Sequence, residues 1–572
     1  MVVLKNLSPN NREFLFGILL VLIPVMVLIV LVLGCKSPDT TMGPQQIRRP
    51  NILWITCEDM SPRLGAYGDS IAFTPNIDRL AEESVLFTNA FSVSGVCAPS
   101  RAALIMGLYP TSFGALHMRT IKRTAAIAKI TDPDLLAIPV YEAVPPPEAK
   151  CFSEILRLNG YYCTNNSKND YQFHAPVTAW DQNGREAHYK NRKDRSQPFF
   201  AVFNFTDSHE SKVWLYADSA SYTDPLTIEL PPYYPDNEVI RKDLARHYDN
   251  IRMVDRKIGR LLTELEVSGE ADNTIVFFFS DHGDGLPRAK RWIYDSGIKV
   301  PMMVRYPDRK RSGEKDGRLV SFVDFAPTVL SLAEVLIPSY MQGRAFLGPS
   351  VDEEPREYIF AARDRMDPVL DYVRGIRDDR YKLIKNYLPD QPYVQFLPYR
   401  DQMPLMQELL RLDEEGLLEG IPALWFANER PKLEFYDTWE DPHEVNNLAD
   451  APEHTERIGI MLNALTTWGQ KTGDMGGIPE PELVKQLWPP DGIQPVTQSC
   501  TMNITEKDKI ELESTTKGAS LAYQFIHQGD TSKWMIYKEP IKIRDGQLRA
   551  FAHRIGFKPS EETLYEGQGM KD

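Results

Sequence analysis

Cys97 stands in the run Val96-Cys97-Ala98-Pro99-Ser100-Arg101, between residues patterned as a strand (85–91) and residues patterned as a short helix (100–106). Proline suits the first helical position, where its missing N–H costs nothing. The unpaired N–H groups of that turn, with the helix dipole, favour an anion beside Cys97. Arg101 adds a planar donor fork that matches tetrahedral oxyanions. Two polar pairs close apolar runs elsewhere: Glu58-Asp59 after 51–56, and Asp281-His282 after 274–280. Ligands of open α/β sheets bind at such carboxyl ends of strands. If the two runs are neighbouring strands, three carboxylates and an imidazole meet at one sheet edge. Adjacent carboxylates repel unless a cation lies between them, and oxygen-rich donor sets suit Ca²⁺ or Mg²⁺.

Cys97-x-Pro99-Ser100-Arg101 resembles the signature of the formylglycine-dependent (type I) sulfatases of the alkaline-phosphatase superfamily. In that family a maturation enzyme, the formylglycine-generating enzyme, oxidises the Cys to an aldehyde. The resemblance implies a divalent-cation site, usually calcium, with magnesium as the alternative. Its ligands would be Glu58, Asp59, Asp281, His282 and the modified Cys97, Glu58 standing where many members carry Asp. It further implies that Arg101, Lys168, His209 and Lys290 gather around sulfate, with His209 protonating the departing alcohol. Lys168-Asn169-Asp170 departs from the Lys-x-His of many members, so either Asp170 or another histidine would assist sulfate release. The implied mechanism is covalent. Hydrated formylglycine 97, polarised by the metal and Arg101, attacks sulfur; the alcohol leaves; the second hydroxyl expels sulfate and restores the aldehyde.

Around Gly114-Ala-Leu-His117-Met-Arg119 the chain is similar to sulfamidase-like bacterial carbohydrate sulfatases, and His117 and Arg119 could hold an anionic sugar. The expected activity is sulfuric ester hydrolysis on a sulfated polysaccharide or its oligosaccharides. Two other readings stand beside it: a phosphoester or phosphonate hydrolase of the same superfamily, and a glycan-binding lipoprotein with a decayed site.

These residues need a scaffold. At 572 residues the chain is long enough for two or three domains, and 42% hydrophobic with 25% charged residues is the composition of a globular protein. A net charge of −14 argues against nucleic acid, so an anionic substrate must meet a local basic pocket. Apolar runs at 51–56, 198–206, 274–280 and 300–306 alternate with amphipathic helices. The longest of these helices, from about Glu238 to Glu266, keeps three-four spacing through Ile240, Leu244, Tyr248, Ile251, Val254, Ile258, Leu261 and Leu265. Such alternation predicts a mostly parallel sheet sandwiched by helices over 49–345. Residues 346–490 have shorter elements that resemble the small antiparallel α+β subdomain of sulfatases. Residues 498–572 show period-two runs, including Leu521-Tyr523-Phe525, and look like an immunoglobulin-like β-sandwich that serves for packing or spacing.

Residues 1–35 read as an export segment. Phe14 to Leu33 carries no charge, and Val32-Leu33-Gly34-Cys35 resembles a lipobox with Cys35 the lipidated residue. An uncleaved membrane helix is the other reading. Either tethers an exported, periplasmic or cell-surface protein of a bacterium through a linker at 36–48. An exported protein can hold disulfides, and among the six cysteines Cys151 could pair with Cys163, which their spacing does not decide.

Overall fold

The computed structural model describes residues 49–572 apart from 125–126, 506–507, 529, 543–545 and 568–572. The export segment with Cys35 and the linker lie outside the described residues. Among the described residues no helix is long and apolar enough to cross a membrane.

The main sheet contains β1 (Asn51–Cys57), β2 (Val85–Phe91), β3 (Tyr162–Asn166), β4 (Gln182–Asn183), β5 (Phe199–Phe205), β6 (Thr274–Ser280), β7 (Lys299–Arg305) and β8 (Lys315–Ser321). Its order is β4-β3-β5-β1-β6-β7-β2-β8. The run from β4 to β6 is parallel, β7 is antiparallel to both its neighbours, and β2 pairs β8 in parallel. The central strands are continuous apolar runs because helices cover both faces. On one face Ile52 and Trp54 pack with α2 (Cys97–Met106) and α4 (Phe325–Leu332); on the other Leu53, Ile55 and Cys57 meet α1 (Pro75–Glu82) and α3 (Glu238–Val267). Asn237 caps α3 by accepting from the Ile240 N–H, and all eight apolar positions expected to face inward are buried. The Trp54 ring lies 5.1 Å from that of Phe200 and 5.3 Å from that of Phe279, both edge-on. Truncating so buried an aromatic costs about 3–5 kcal/mol, so Trp54 holds β1 between β5 and β6 and fixes where their ends emerge.

Pro99 departs from its expected place. Helix α2 starts at Cys97, so the proline occupies the third position. The first backbone bond of the helix runs from the Ser100 N–H to the Val96 carbonyl. Pro99 therefore still occupies a first-turn position where an N–H would have no partner within the helix, and Cys97 itself moves into the first turn.

A second, antiparallel sheet, β12-β11-β10-β9, is built from β9 (Ile359–Arg363), β10 (Val373–Arg377), β11 (Tyr381–Asn386) and β12 (Leu433–Asp437). It is stapled to the main sheet through buried charge: Lys382 Nζ lies 2.6 Å from Asp295 and 2.7 Å from Glu444. A helix, α5 (Thr455–Thr472), covers it through Ile458, Met461, Leu465 and Trp468. Beyond residue 500, a three-stranded and a five-stranded antiparallel sheet share a core of Ile510, Leu512, Ile541, Leu548 and Ala550. In the strand Ser520–His527, Ala522 and Gln524 are on the buried side, while Leu521, Tyr523 and Phe525 are half-covered. Both of its faces are in use, because this end of the chain sits on the main body, with Lys150 Nζ donating to the Gly518 carbonyl and Ser520. Cys151 and Cys163 are both free, buried thiols; Cys163 donates to the Ser153 carbonyl instead of pairing.

Candidate active site

β1 and β6 run in parallel with Cys57 opposite Ser280, so Glu58-Asp59 and Asp281-His282 leave adjacent strand ends side by side. The Asp59 N–H donates to Asp281 Oδ1 at 3.2 Å and the Met60 N–H to Ser280 Oγ at 3.0 Å. Asp59 adopts a left-handed backbone, φ 52°, which swings its carboxylate back over the strand ends. Helix α2 delivers Cys97, its Sγ 3.5 Å from His282 Nε2, while Ser100 Oγ donates to the Asp281 carbonyl. Gly95 permits this approach: a Cβ there would stand 2.2 Å from the Trp292 carbonyl.

One ligand atom from each of Asp59, Cys97, Asp281 and His282 lies within 4.8 Å of the others, and all four residues are buried. Burial works against their charges, yet His282 and Arg101 hold Asp281 down to about 2, and Lys290, His209 and His282 hold Asp59 well below the usual range. Burial likewise opposes charge on His282, but Asp281 and Asp59 push it up to about 10. Burial and then Asp281 push the Cys97 thiol up, so as a thiol it is not an activated nucleophile. Asp59 Oδ1 accepts no hydrogen bond, although His282 Nε2 lies 3.0 Å away. Two buried carboxylates with an orphaned oxygen, beside a ring nitrogen, fit a hard divalent cation. Glu58 stands outside that quartet. Its longer arm reaches Lys168 Nζ, and Arg101 Nη2 lies 3.4 Å from it.

Arg101 uses its whole fork. Nε donates to Asp281 at 3.0 Å and Nη1 to Asn204 Oδ1 at 2.7 Å, which ties α2 to the ends of β5 and β6. Lys290 Nζ lies 2.6 Å from Asp59 and 3.1 Å from Glu210. His209 follows β5, with Nδ1 2.9 Å from Ser211 Oγ; burial and then Lys290 hold it below the usual imidazole range. Asp170 is engaged by Arg119 at 2.7 Å and lies 3.7 Å from Lys168. Burial raises Asp170, but Lys168 and Arg119 outweigh it and hold the carboxyl below its usual range.

A pocket of about 220 Å³ opens over this floor, lined by Val96, Met118, Arg119, Arg123, His209, Glu210, Lys290, Arg291, Met366, Asp367 and Tyr399. His117 does not line it. It is buried 3.8 Å from Glu480, and burial and then Arg365 push its imidazole down to about 3. Its neighbour Arg119 does face the pocket.

Sequence reasoning missed Glu210 and Arg291. Arg291 forks onto Glu210 at 2.8 and 2.8 Å, and the Glu210 N–H donates to Asp59 Oδ2 at 2.6 Å. The available signal was adjacency: each directly follows a residue already singled out, His209 and Lys290.

Residues 50–335 match the family model described as sulfatase, and residues 287–403 match one described as N-sulphoglucosamine sulphohydrolase, C-terminal. An ulvan-active sulfatase of Formosa agariphila is 43% identical over 551 residues, 90% of each chain. The human N-sulphoglucosamine sulphohydrolase is 26% identical, over 80% of this chain and 98% of that one. Among solved structures, one described as a complex with its substrate D-glucosamine-2-N,6-O-disulfate aligns with a TM-score of 0.53 at 18% identity, covering 76% of this chain and 99% of its own. A phosphonate monoester hydrolase from Silicibacter pomeroyi aligns equally well, at TM-score 0.53 and 15% identity, over 82% of this chain and 99% of its own. The last two likenesses are of fold.

Proposed function

The chain belongs to the sulfatase family and is a sulfuric ester hydrolase; within that family we propose that it removes sulfate from a sulfated carbohydrate, a polysaccharide or its oligosaccharides, using a formylglycine made from Cys97 and a calcium ion. The observation that carries this reading is the placing of Cys97 in the first turn of α2, inside the quartet with Asp59, Asp281 and His282 and beneath a basic pocket. Asp59, Asp281, His282 and the converted residue 97 would hold the cation, magnesium being the alternative. The aldehyde would supply a hydrated nucleophile and the cation a positive charge for the sulfate oxygens.

The chain's own residues do the rest. Lys290, Arg101 and Lys168 present positive charge where attack at sulfur builds negative charge, and they are fixed beforehand by Asp59, Asp281 and Glu58. A bound sulfate ester adds negative charge beside His209. That favours its imidazolium form, the form that donates a proton to the leaving sugar oxygen. Asp170 is held ionised by two cations, which makes it a weak base; its part is to position Lys168 and Arg119.

Two features support a glycan substrate: the ulvan and glucosamine named for the relatives, and the mix of basic and aromatic groups in the pocket. We also propose that the enzyme is exported and tethered at the membrane through a lipidated Cys35, an uncleaved Phe14–Leu33 helix being the alternative. The test is mass spectrometry of the peptide carrying residue 97 after co-expression with a formylglycine-generating enzyme, followed by assays on paired sulfate and phosphate esters. Conversion at Cys97, sulfate release and its loss in Cys97→Ala are expected. An unconverted thiol beside a converted control sulfatase, or preference for the phosphate ester, would refute the proposal.

A further inference from the structure

We propose, on the reading of this pocket as a sulfatase centre, that it also recognises a second anionic group, a carboxylate or a further sulfate ester on the sugar adjoining the one that loses sulfate, and that Arg123 is the residue that reads it. At about 220 Å³ the pocket is smaller than the roughly 300–1,000 Å³ that encloses a drug-sized ligand, so it takes one sugar ring with its ester and leaves the next at the rim.

The other permanent cations lining the pocket already have partners. Lys290 has Asp59 and Glu210, Arg291 has both oxygens of Glu210, and Arg119 has Asp170. Arg123 lines the same pocket, is exposed, and its side chain makes no ion pair, hydrogen bond or ring contact among the described residues. Asp367 faces the pocket too, but its Oδ1 accepts from the Thr124 hydroxyl at 2.9 Å and it forms no ion pair with Arg123.

An exposed arginine on a loose loop would mean little. This one is held. Its turn, Ile121–Arg123, starts on a fully buried Ile121, its own N–H donates to the Thr120 carbonyl at 2.9 Å, and the next residue, Thr124, is buried and bonded to Asp367. The backbone is therefore fixed while the guanidinium is left unpaired, in a chain with 79 acidic against 65 basic residues. A planar fork fixed at its root and free at its tip suits a carboxylate or sulfate oxygen pair.

The experiment assays matured enzyme on three disaccharides that carry the same sulfate ester beside a neutral, a carboxylated or a sulfated sugar. One or both anionic arms are expected to be preferred about tenfold in kcat/KM, the low end for hydrogen bonds to a charged group at an exposed site. The arm that is preferred identifies the anion. Arg123→Gln should collapse that preference through KM, and Arg123→Lys should retain part of it. Equal use of all three substrates by the wild type, or an equal loss on all three in Arg123→Gln, would overturn the proposal. Calorimetry on the unmatured Cys97 protein gives a readout without turnover: the carboxylated or sulfated product should bind about tenfold tighter than the neutral one, and no difference overturns it. A binding preference without sulfate release from any substrate, 4-nitrophenyl sulfate included, would leave the anion site standing and refute the sulfatase mechanism.

Discussion

Glu210 and Arg291 offer a quantitative test of how the site is held together. Arg291 meets both Glu210 oxygens at 2.8 Å, and among the described residues Glu210 is its only ion-pair partner, whereas Lys290 keeps Asp59 at 2.6 Å if Glu210 is lost. Both partners are buried. Glu210→Gln therefore leaves one uncompensated guanidinium, and Arg291→Met leaves a carboxylate with only part of Lys290. Removing one member of a buried pair costs about 3–5 kcal/mol, whereas removing both leaves no stranded charge. Each single variant should lose about that much, and the double variant no more than either single. That is a coupling energy of at least about 3 kcal/mol, at the upper end for neighbouring residues. The assay is urea unfolding of the four proteins, compared by midpoint with the slope unchanged. Single losses below about 1 kcal/mol, or a double loss equal to the sum, would show that the pair is not the buried, mutually dependent one described. Because Glu210 also pairs with Lys290 and both residues of the pair line the pocket, both singles should in addition slow sulfate release.

Burial pushes Asp243 up to about 7, so its folded value lies above its unfolded one; its destabilising effect is absent below about pH 4 and complete above about pH 7. Asp243→Asn keeps an acceptor for the Leu405 N–H, so it should gain stability relative to wild type between pH 5 and 8, by up to about 4 kcal/mol at 1.36 kcal/mol per unit; a difference in urea midpoints that ignores pH would contradict this. Dialysis against a chelator should lower both the unfolding temperature and sulfate release, and calcium at a hundred times its Kd should return about 2.7 kcal/mol; an Asp59→Ala protein that responded just as strongly to calcium would disprove the site. Gly95→Ala should cost about 1–3 kcal/mol or more, read from thermal melts, since the added carbon must displace backbone at Trp292; a wild-type melt would mean that the loop yields freely.

The strands that carry the floor were legible because each is a continuous apolar run ending in charge, and β1 and β6 proved to be neighbours in the register that joins their acidic ends. The long helix was legible because its eight apolar positions keep one period for its whole length. What sequence left hidden depends on contacts across the chain. Glu210 meets Arg291 from 81 residues away, and an acid after a histidine reads by itself as a solvated turn. His117 looked like a pocket residue because it follows the signature helix, but Glu480 and Arg365, far along the chain, enclose it. Asp170 stood out as a departure from the family pattern, but only its ion pairs with Arg119 and Lys168 give it a part. Period-two patterning found the strand Ser520–His527 without telling which face is the inner one, because the module and the main body each cover a side.

The pocket has two origins. Its reacting floor comes from the ends of β1, β5 and β6 and the start of α2, each locked by buried charge. Its outer wall includes Met366, Asp367 and Tyr399, which come from the connections around the second sheet. In such a layout the wall can change without moving a floor residue. The same division gives the protein engineer a short list: libraries confined to Met366, Asp367 and Tyr399 should yield altered sugar preference at nearly constant folding yield, whereas libraries on the floor should yield mostly dead protein.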